Sequence, residues 1–185
     1  VTLFNDCKYG YDIHDSLMTL TLLRAPTYPD PEADRGEMTC TYSVVPHRGA
    51  MDAPKTYALA YDLNNPMTVL PATGEKDSIP TEFCTVASDA PNILCETVKQ
   101  AEDGEDTVCR FFECSNTATT ATLRFGHPVK KVMLCDMSEN DLQELTVRDN
   151  AVTLDFRAFE IQTLKVNHAW ILGQEGKRAG GKRLW

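Results

Sequence analysis

From residue 82 onward, apolar and polar positions alternate in short runs: EFCTVAS, ILCETVKQ, TVCRFFEC, TATLRF, VKKVMLC, AVTLDF and FEIQTLKV. The runs recur about every ten residues and are bounded by turn-forming clusters such as Glu102-Asp103-Gly104-Glu105 and Arg148-Asp149-Asn150, the rhythm of an antiparallel β-sandwich. The short Arg157-Ala158 link predicts AVTLDF and FEIQTLKV as hairpin partners. Over Glu139 to Leu145, Leu142 and Leu145 supply a narrow stripe that predicts a minor helix nucleus.

The earlier part of the chain is irregular, and the change of regime falls between Thr81 and Asn92. VTLF and the run from Leu17 to Leu23 read as two strands of a long hairpin, separated by the turn-forming NDCKYGYD. Ala25 to Gly36 contains three prolines among charged residues and reads as a surface loop, because proline cannot donate to a backbone ladder. Met38 to Val45 alternates polar Thr39, Thr41 and Ser43 with apolar neighbours, as a half-buried strand does. One short helix is predicted after Asp52, a side chain suited to the N-cap, with Pro54 in its first turn. Tyr57, Ala58 and Tyr61 form its apolar stripe, and Asn64, Asn65 and Pro66 end it. The fold class expected is all-β.

A length of 185 residues allows one large domain or two small ones. No window approaches the roughly 20 uninterrupted apolar residues of a membrane-spanning helix. The net charge of -9 is unevenly placed: Lys177, Arg178, Lys182 and Arg183 face only Glu175 in the last stretch, so the body is more acidic than the total. An acidic body repels phosphate backbones, which argues against nucleic acid and suits neutral sugars or no ligand. The Gly-rich basic tail, 169–185, has no core face and is expected to be a mobile terminus.

Seven cysteines, an odd number, leave at least one free within the chain. Most sit in apolar runs, as in VCRFFEC and VMLCD, where a thiol serves as a small hydrophobe, and a reducing compartment is the expectation. His14, His47, His127 and His168 are scattered, with neither CxxC nor HExxH, so no metal site is expected here. No strained elbow surrounds any cysteine, and no strand runs into a glycine-rich phosphate loop. Paired carboxylates for glycoside hydrolysis are defined by distance in space rather than in sequence, so an acidic chain offers no test of them. The acidic runs Asp30 to Glu37 and Glu102 to Asp106 read as solvated loops, against a binding edge or a calcium loop. Tyr9, Tyr11, Tyr28 and Asn5 could stack on and bond a sugar, or could plug the ends of sheets.

The run FNDCKYGYD, followed by LTLLRAPTYPDPEADRGEMTCTYSVVPHRG, then YALAYDLNNPM, ILCETVKQAEDGEDTVCRFFECSNTATTATLRF and VKKVMLCDMSENDLQELTVRDNAVTLDFRAFEIQTLKV, resembles the C-terminal region of family 38 α-mannosidases of the cytosolic or bacterial subgroup. The resemblance covers roughly residues 1 to 167. It implies the last part of a multi-domain retaining hydrolase, with residues 1–88 closing a mutarotase-like supersandwich and 89–168 forming a small antiparallel β-sandwich before the 169–185 tail. It also implies a divalent metal, zinc in most such enzymes, and an aspartate nucleophile in an N-terminal domain. No catalytic residue and no metal ligand is therefore expected in this stretch. VTLF begins at Val1, which reads as the middle of a domain.

By the same resemblance, Arg24, at the end of LTLLR, approaches the sugar-binding cleft, where its fork of donors could hold vicinal hydroxyls. The alternative is a strand-end salt bridge to an acid of PDPEAD. Met38 and Cys40 depart from the family pattern, which tends to have histidine and an aromatic there. The partners implied are the N-terminal domains of the same polypeptide and mannosides or oligosaccharides, in the cytoplasm, with no membrane and no nucleic acid. Two other classes compete: a stand-alone carbohydrate-binding sandwich, and an interaction domain or homo-oligomer that covers an unpaired sheet edge with a second copy.

Overall fold

The computed structural model of the protein describes residues 1–71 and 82–169. The chain divides into two compact units, Val1–Gly74 and Glu75–Trp185. Apart from one helix, the regular elements are β-strands.

In the first unit, β1 (Thr2–Asn5) pairs antiparallel with β4 (Tyr42–Val45), Thr2 opposite Val45 and Asn5 opposite Tyr42. A separate ribbon joins β2 (Tyr11–His14) to β3 (Leu17–Leu20) through a tight turn in which Asp15 adopts φ 51°. The predicted hairpin between VTLF and the Leu17 run is therefore corrected. Asp15-Ser16 supplies a closer turn, so Leu17–Leu20 folds back on its immediate neighbours and β1 is left for β4.

The predicted helix is present as α1 (Ala53–Asn64). Asp52 caps it by accepting from the Lys55 amide, and Asn65 closes it by donating to the Tyr61 carbonyl. The strand expected over Met38 to Val45 is shorter at its start. The Asp6 carboxylate takes the Thr41 amide with both oxygens at 3.0 Å, replacing the ladder bond that would have continued it.

Among the described residues of this unit, Phe4 is the buried apolar side chain, whereas Ile13, Leu17, Leu22, Leu23, Tyr42 and Val44 are exposed. Two-stranded ribbons of this kind are marginal in water unless something packs on them.

The second unit is a sandwich of two antiparallel sheets. Its strands are β5 (Val86–Ser88), β6 (Ile93–Gln100), β7 (Thr107–Glu113), β8 (Thr119–Phe125), β9 (Val129–Cys135), β10 (Asp141–Leu145), β11 (Ala151–Phe156) and β12 (Ile161–His168). They form a five-stranded sheet in the order β10-β9-β12-β7-β6 and a three-stranded sheet in the order β11-β8-β5. Because side chains alternate across a strand, Cys109 and Phe111 of β7, Val132 of β9 and Leu164 and Val166 of β12 point inward from one sheet. Leu123 and Phe125 of β8 and Val152, Leu154 and Phe156 of β11 meet them from the other.

Val86–Ser88 pairs with β8, so these residues lie in the second unit and do not close the first. The predicted β11–β12 hairpin is also corrected: β11 pairs with β8, while β12 pairs with β7 and β9 in the opposite sheet. The connection bends at Phe159 (φ 56°), where Arg157 donates through Nε and Nη2 to Glu160 Oε1 and the Phe159 amide donates to Glu113. This carries the chain across the sandwich rather than back along the same sheet.

The helix nucleus over Glu139 to Leu145 is overturned as well. The Asp136 carboxylate accepts from the Ser138 amide, the Asn140 amide and the Asn140 side chain, and Glu139 takes φ 66°. That turn launches an edge strand, β10, whose pairing with β9 slips between Asp141 and Gln143. Of the tail, only residue 169 lies within the described residues; the expectation for 170–185 falls outside them.

Candidate functional site

The first unit holds an open cleft of about 640 Å³ between the residues after β1 and those after β3. Cys7, Tyr9, Thr21, Arg24, Asp34 and Met38 contribute to its wall. Gly10 lets its two sides meet: its carbonyl accepts from the Thr21 amide at 2.8 Å, and a Cβ there would lie 3.0 Å from the Thr21 side chain. On the other side, Asn5 organises the turn after β1 by accepting from the Cys7 amide at 3.0 Å and from the Lys8 amide. The Asn5 amide group also donates to the Tyr11 hydroxyl.

Arg24 lies exposed on this wall, at the end of the LTLLR run. The acid nearest in function is Asp34 of the PDPEAD loop, yet it does not pair with Arg24. Its carboxylate accepts from the Ala25 amide at 2.7 Å and steadies a backbone that bends to φ 50° immediately after the arginine. Among the described residues Arg24 makes no ion pair within 4.0 Å, so the strand-end salt bridge is not what holds it. Glu32 pairs with Arg35 at 2.7 Å, and Asp30 accepts from the Glu32 amide at 2.9 Å. The loop is thus internally braced, without drawing on the Arg24 guanidinium.

Of the other sugar-contact candidates, Asn5 and Tyr11 spend polar groups on each other. Tyr9 and Tyr28 do not plug a sheet end among the described residues, being 91% and 87% exposed. Tyr9 shares the cleft with Arg24, so an aromatic ring and a fork of donors line the same opening. The sequence presents Asp6 as part of a turn-forming run and Asp34 as one charge of a solvated loop. The Asp6 pKa is lowered, first by its hydrogen bond with the Cys7 thiol and next by the Thr41 amide, as suits a carboxylate that ends a ladder. A short acidic side chain beside turn residues was the available signal for both.

Of the four histidines, His127 and His168 meet edge-to-face with ring centroids 6.2 Å apart; among the described residues, no group of three or more His, Cys, Asp or Glu side chains could hold a metal ion. The second unit has its own polar groove of about 490 Å³, lined by Thr122, Arg124, Gln143, Arg148 and Thr153. Its most buried acid, Glu113, accepts from Asn92, Ser115, Thr117 and Phe159 and is fully committed to holding turns.

Comparison with known proteins fits this division of the chain. Residues 92–164 match the glycosyl hydrolases family 38 C-terminal beta sandwich domain, and residues 1–32 match the glycosyl hydrolases family 38 C-terminal domain. The chain is 36% identical over 169 residues to alpha-mannosidase 2C1 of Homo sapiens, covering 89% of this chain and 16% of that protein. It is 31% identical over 175 residues to alpha-mannosidase G of Dictyostelium discoideum, again covering 89% of this chain and 16% of the relative. It is 30% identical over 191 residues to alpha-mannosidase of Saccharomyces cerevisiae, covering 90% and 17%.

The class defined is a C-terminal β-domain region of the kind found in glycoside hydrolases. More particularly, the chain belongs to the C-terminal domains of glycosyl hydrolase family 38. It spans about one sixth of the length of these relatives.

Proposed function

We propose that this chain is the C-terminal scaffold of an α-mannosidase, which in its intact form hydrolyses terminal α-mannosyl residues with retention of configuration. The observation that carries the proposal is the contrast between the units. The second has its own core, while the first exposes the apolar side chains of β2, β3 and β4. An exposed apolar face of this kind suits a large sandwich completed by the preceding domains of the same polypeptide, so the first unit is read as the closing part of a mutarotase-like domain.

In that setting Arg24 projects its donors into the sugar-binding cleft and holds vicinal hydroxyls, with Asp34 fixing the backbone behind it. The residues described here do not fit a metal, and the divalent ion, zinc by family resemblance, is assigned to the N-terminal domain together with the nucleophile. Mannosides or oligosaccharides are the substrates, and the cytoplasm is the compartment. No helix among the described residues is long and apolar enough to cross a membrane.

Titration calorimetry of the chain with mannose oligomers tests the scaffold reading against a stand-alone carbohydrate-binding module. The scaffold predicts no saturable heat, because the cleft that Arg24 and Tyr9 line is open and does not enclose a sugar by itself. Saturable binding by the chain alone would favour the module.

A further inference from the structure

Beyond that reading, we propose that Cys7 and Cys40 are a cross-strand thiol pair that closes to a disulfide when the glutathione pool becomes oxidising.

The β1–β4 ladder ends at Asn5 opposite Tyr42, where the Asp6 carboxylate takes the Thr41 amide, and one further backbone bond, from the Asp6 amide to the Thr41 carbonyl at 3.2 Å, keeps the two chains side by side. Cys7 and Cys40 are the residues that follow on the two chains. Residues facing each other on antiparallel neighbours stand about 4.5 to 5.5 Å apart at Cα, within the span a disulfide bridges. The Cys7 Sγ already lies 3.9 Å from the carbonyl oxygen of Thr39, the residue before Cys40. Both thiols are free, Cys7 exposed and Cys40 half-buried. The bond would tie the two ends of the segment 8–39, which carries β2, β3, Arg24 and the acidic loop, and Cys7 itself lines the Arg24 cleft.

The chemistry balances by thiol–disulfide exchange with a low-molecular-weight disulfide. The Cys40 thiolate attacks one sulfur of oxidised glutathione, breaks its S–S bond and expels one glutathione thiolate. The Cys7 sulfur then attacks the Cys40 sulfur, forming the protein disulfide and expelling the second. The two protons lost by the cysteines and the two electrons end on the two glutathione thiols. The Asp6 carboxylate, hydrogen-bonded to the Cys7 thiol, raises that thiol's pKa and so disfavours Cys7 as the first attacker.

The test uses the intact polypeptide, held natively in glutathione buffers of increasing oxidised fraction, alkylated, digested with trypsin and analysed by mass spectrometry. Each cysteine falls on its own peptide, one ending at Lys8 and the other spanning residues 36–48. The expected result is a linked pair of these peptides that grows with the oxidised fraction, with the loss of two alkylatable thiols. In Cys7→Ser or Cys40→Ser the link disappears and the remaining cysteine carries a glutathione adduct. Two alkylated peptides, or two separate glutathione adducts, at every ratio would overturn the proposal.

Discussion

The Glu113 carboxylate accepts a hydrogen bond from the backbone amide of Phe159 at 3.0 Å, joining the end of β7 to the bend between β11 and β12. Glu113 is 1% exposed and also accepts from the Asn92 side chain at 2.8 Å, the Ser115 amide at 2.6 Å and the Thr117 amide at 3.2 Å. One buried charge therefore satisfies donors from three separate turns of the sandwich.

Burial pushes the Glu113 pKa up most strongly, but the donors from Phe159, Asn92, Ser115 and Thr117 together outweigh it and bring the net value below the ordinary 4.5. A carboxyl lowered in the folded state contributes stability that is present above its unfolded value and drains away as pH falls through its folded value. Replacing Glu113 with Ala strands several buried donors, and denaturant unfolding at neutral pH should show a loss of about 3 kcal/mol. In Glu113→Gln, the fall in stability between about pH 5 and pH 2 should be shallower than in the parent.

Gly126 answers a different constraint. Its amide donates to the Thr85 carbonyl at 3.0 Å, and a Cβ at this position would lie 1.9 Å from the Cys84 carbonyl oxygen. That atom is backbone and can move only by drawing the segment before β5 away from β8. Gly126→Ala should cost about 3 kcal/mol in thermal or denaturant unfolding.

Paired core and surface substitutions separate the two units. Leu164 is 0% exposed, so Leu164→Ala should destabilise the isolated chain by about 3 kcal/mol. Ile13 is 67% exposed, so Ile13→Ala should change the isolated chain by less than about 0.5 kcal/mol. In the intact polypeptide Ile13→Ala should become destabilising, because the face that carries it is covered there. Equal, negligible effects in both would remove that face from any interdomain contact.

Arg24→Ala in the intact enzyme should raise KM for an α-mannoside roughly tenfold, equivalent to about 1.4 kcal/mol. Arg24→Lys should recover only part of the loss, since a single ammonium cannot reproduce a planar fork. Unchanged kinetics would take Arg24 out of the cleft.

The sandwich was legible in the sequence because its strands are strongly patterned. ILCETVKQ and VKKVMLC coincide with β6 and β9, and α1 lies between the cap and stop residues that announce it. What was misread lies where a side chain commands the backbone from a distance. Asp136 turns SEND into a tight bend, Asp6 ends the β4 ladder at Tyr42, and Glu113 with Glu160 sends β12 to the other sheet. β10 misled for a further reason: an edge strand with Leu142 exposed has no inward alternation to display, and its slip in register breaks the period of two.

The cleft was legible only in part. Arg24 was found through family resemblance, while its steadying acid, Asp34, and the close approach at Gly10 depend on contacts between residues 9 and 11 positions apart. Cys7 and Cys40 were treated with the core thiols. Cys109, Cys114 and Cys135 are indeed buried, and the Cys109 thiol is pushed up to about 12 by burial, but the first pair stands at a ladder end whose register no local pattern reveals.

The most direct measurement is hydrolysis of an aryl α-mannoside, with zinc or cobalt supplied, by the 185-residue chain alone and by the intact polypeptide that contains it. Turnover by the intact polypeptide with none by the chain is the predicted result. Turnover by the chain alone would contradict it, since the bond-breaking groups would then lie among these residues.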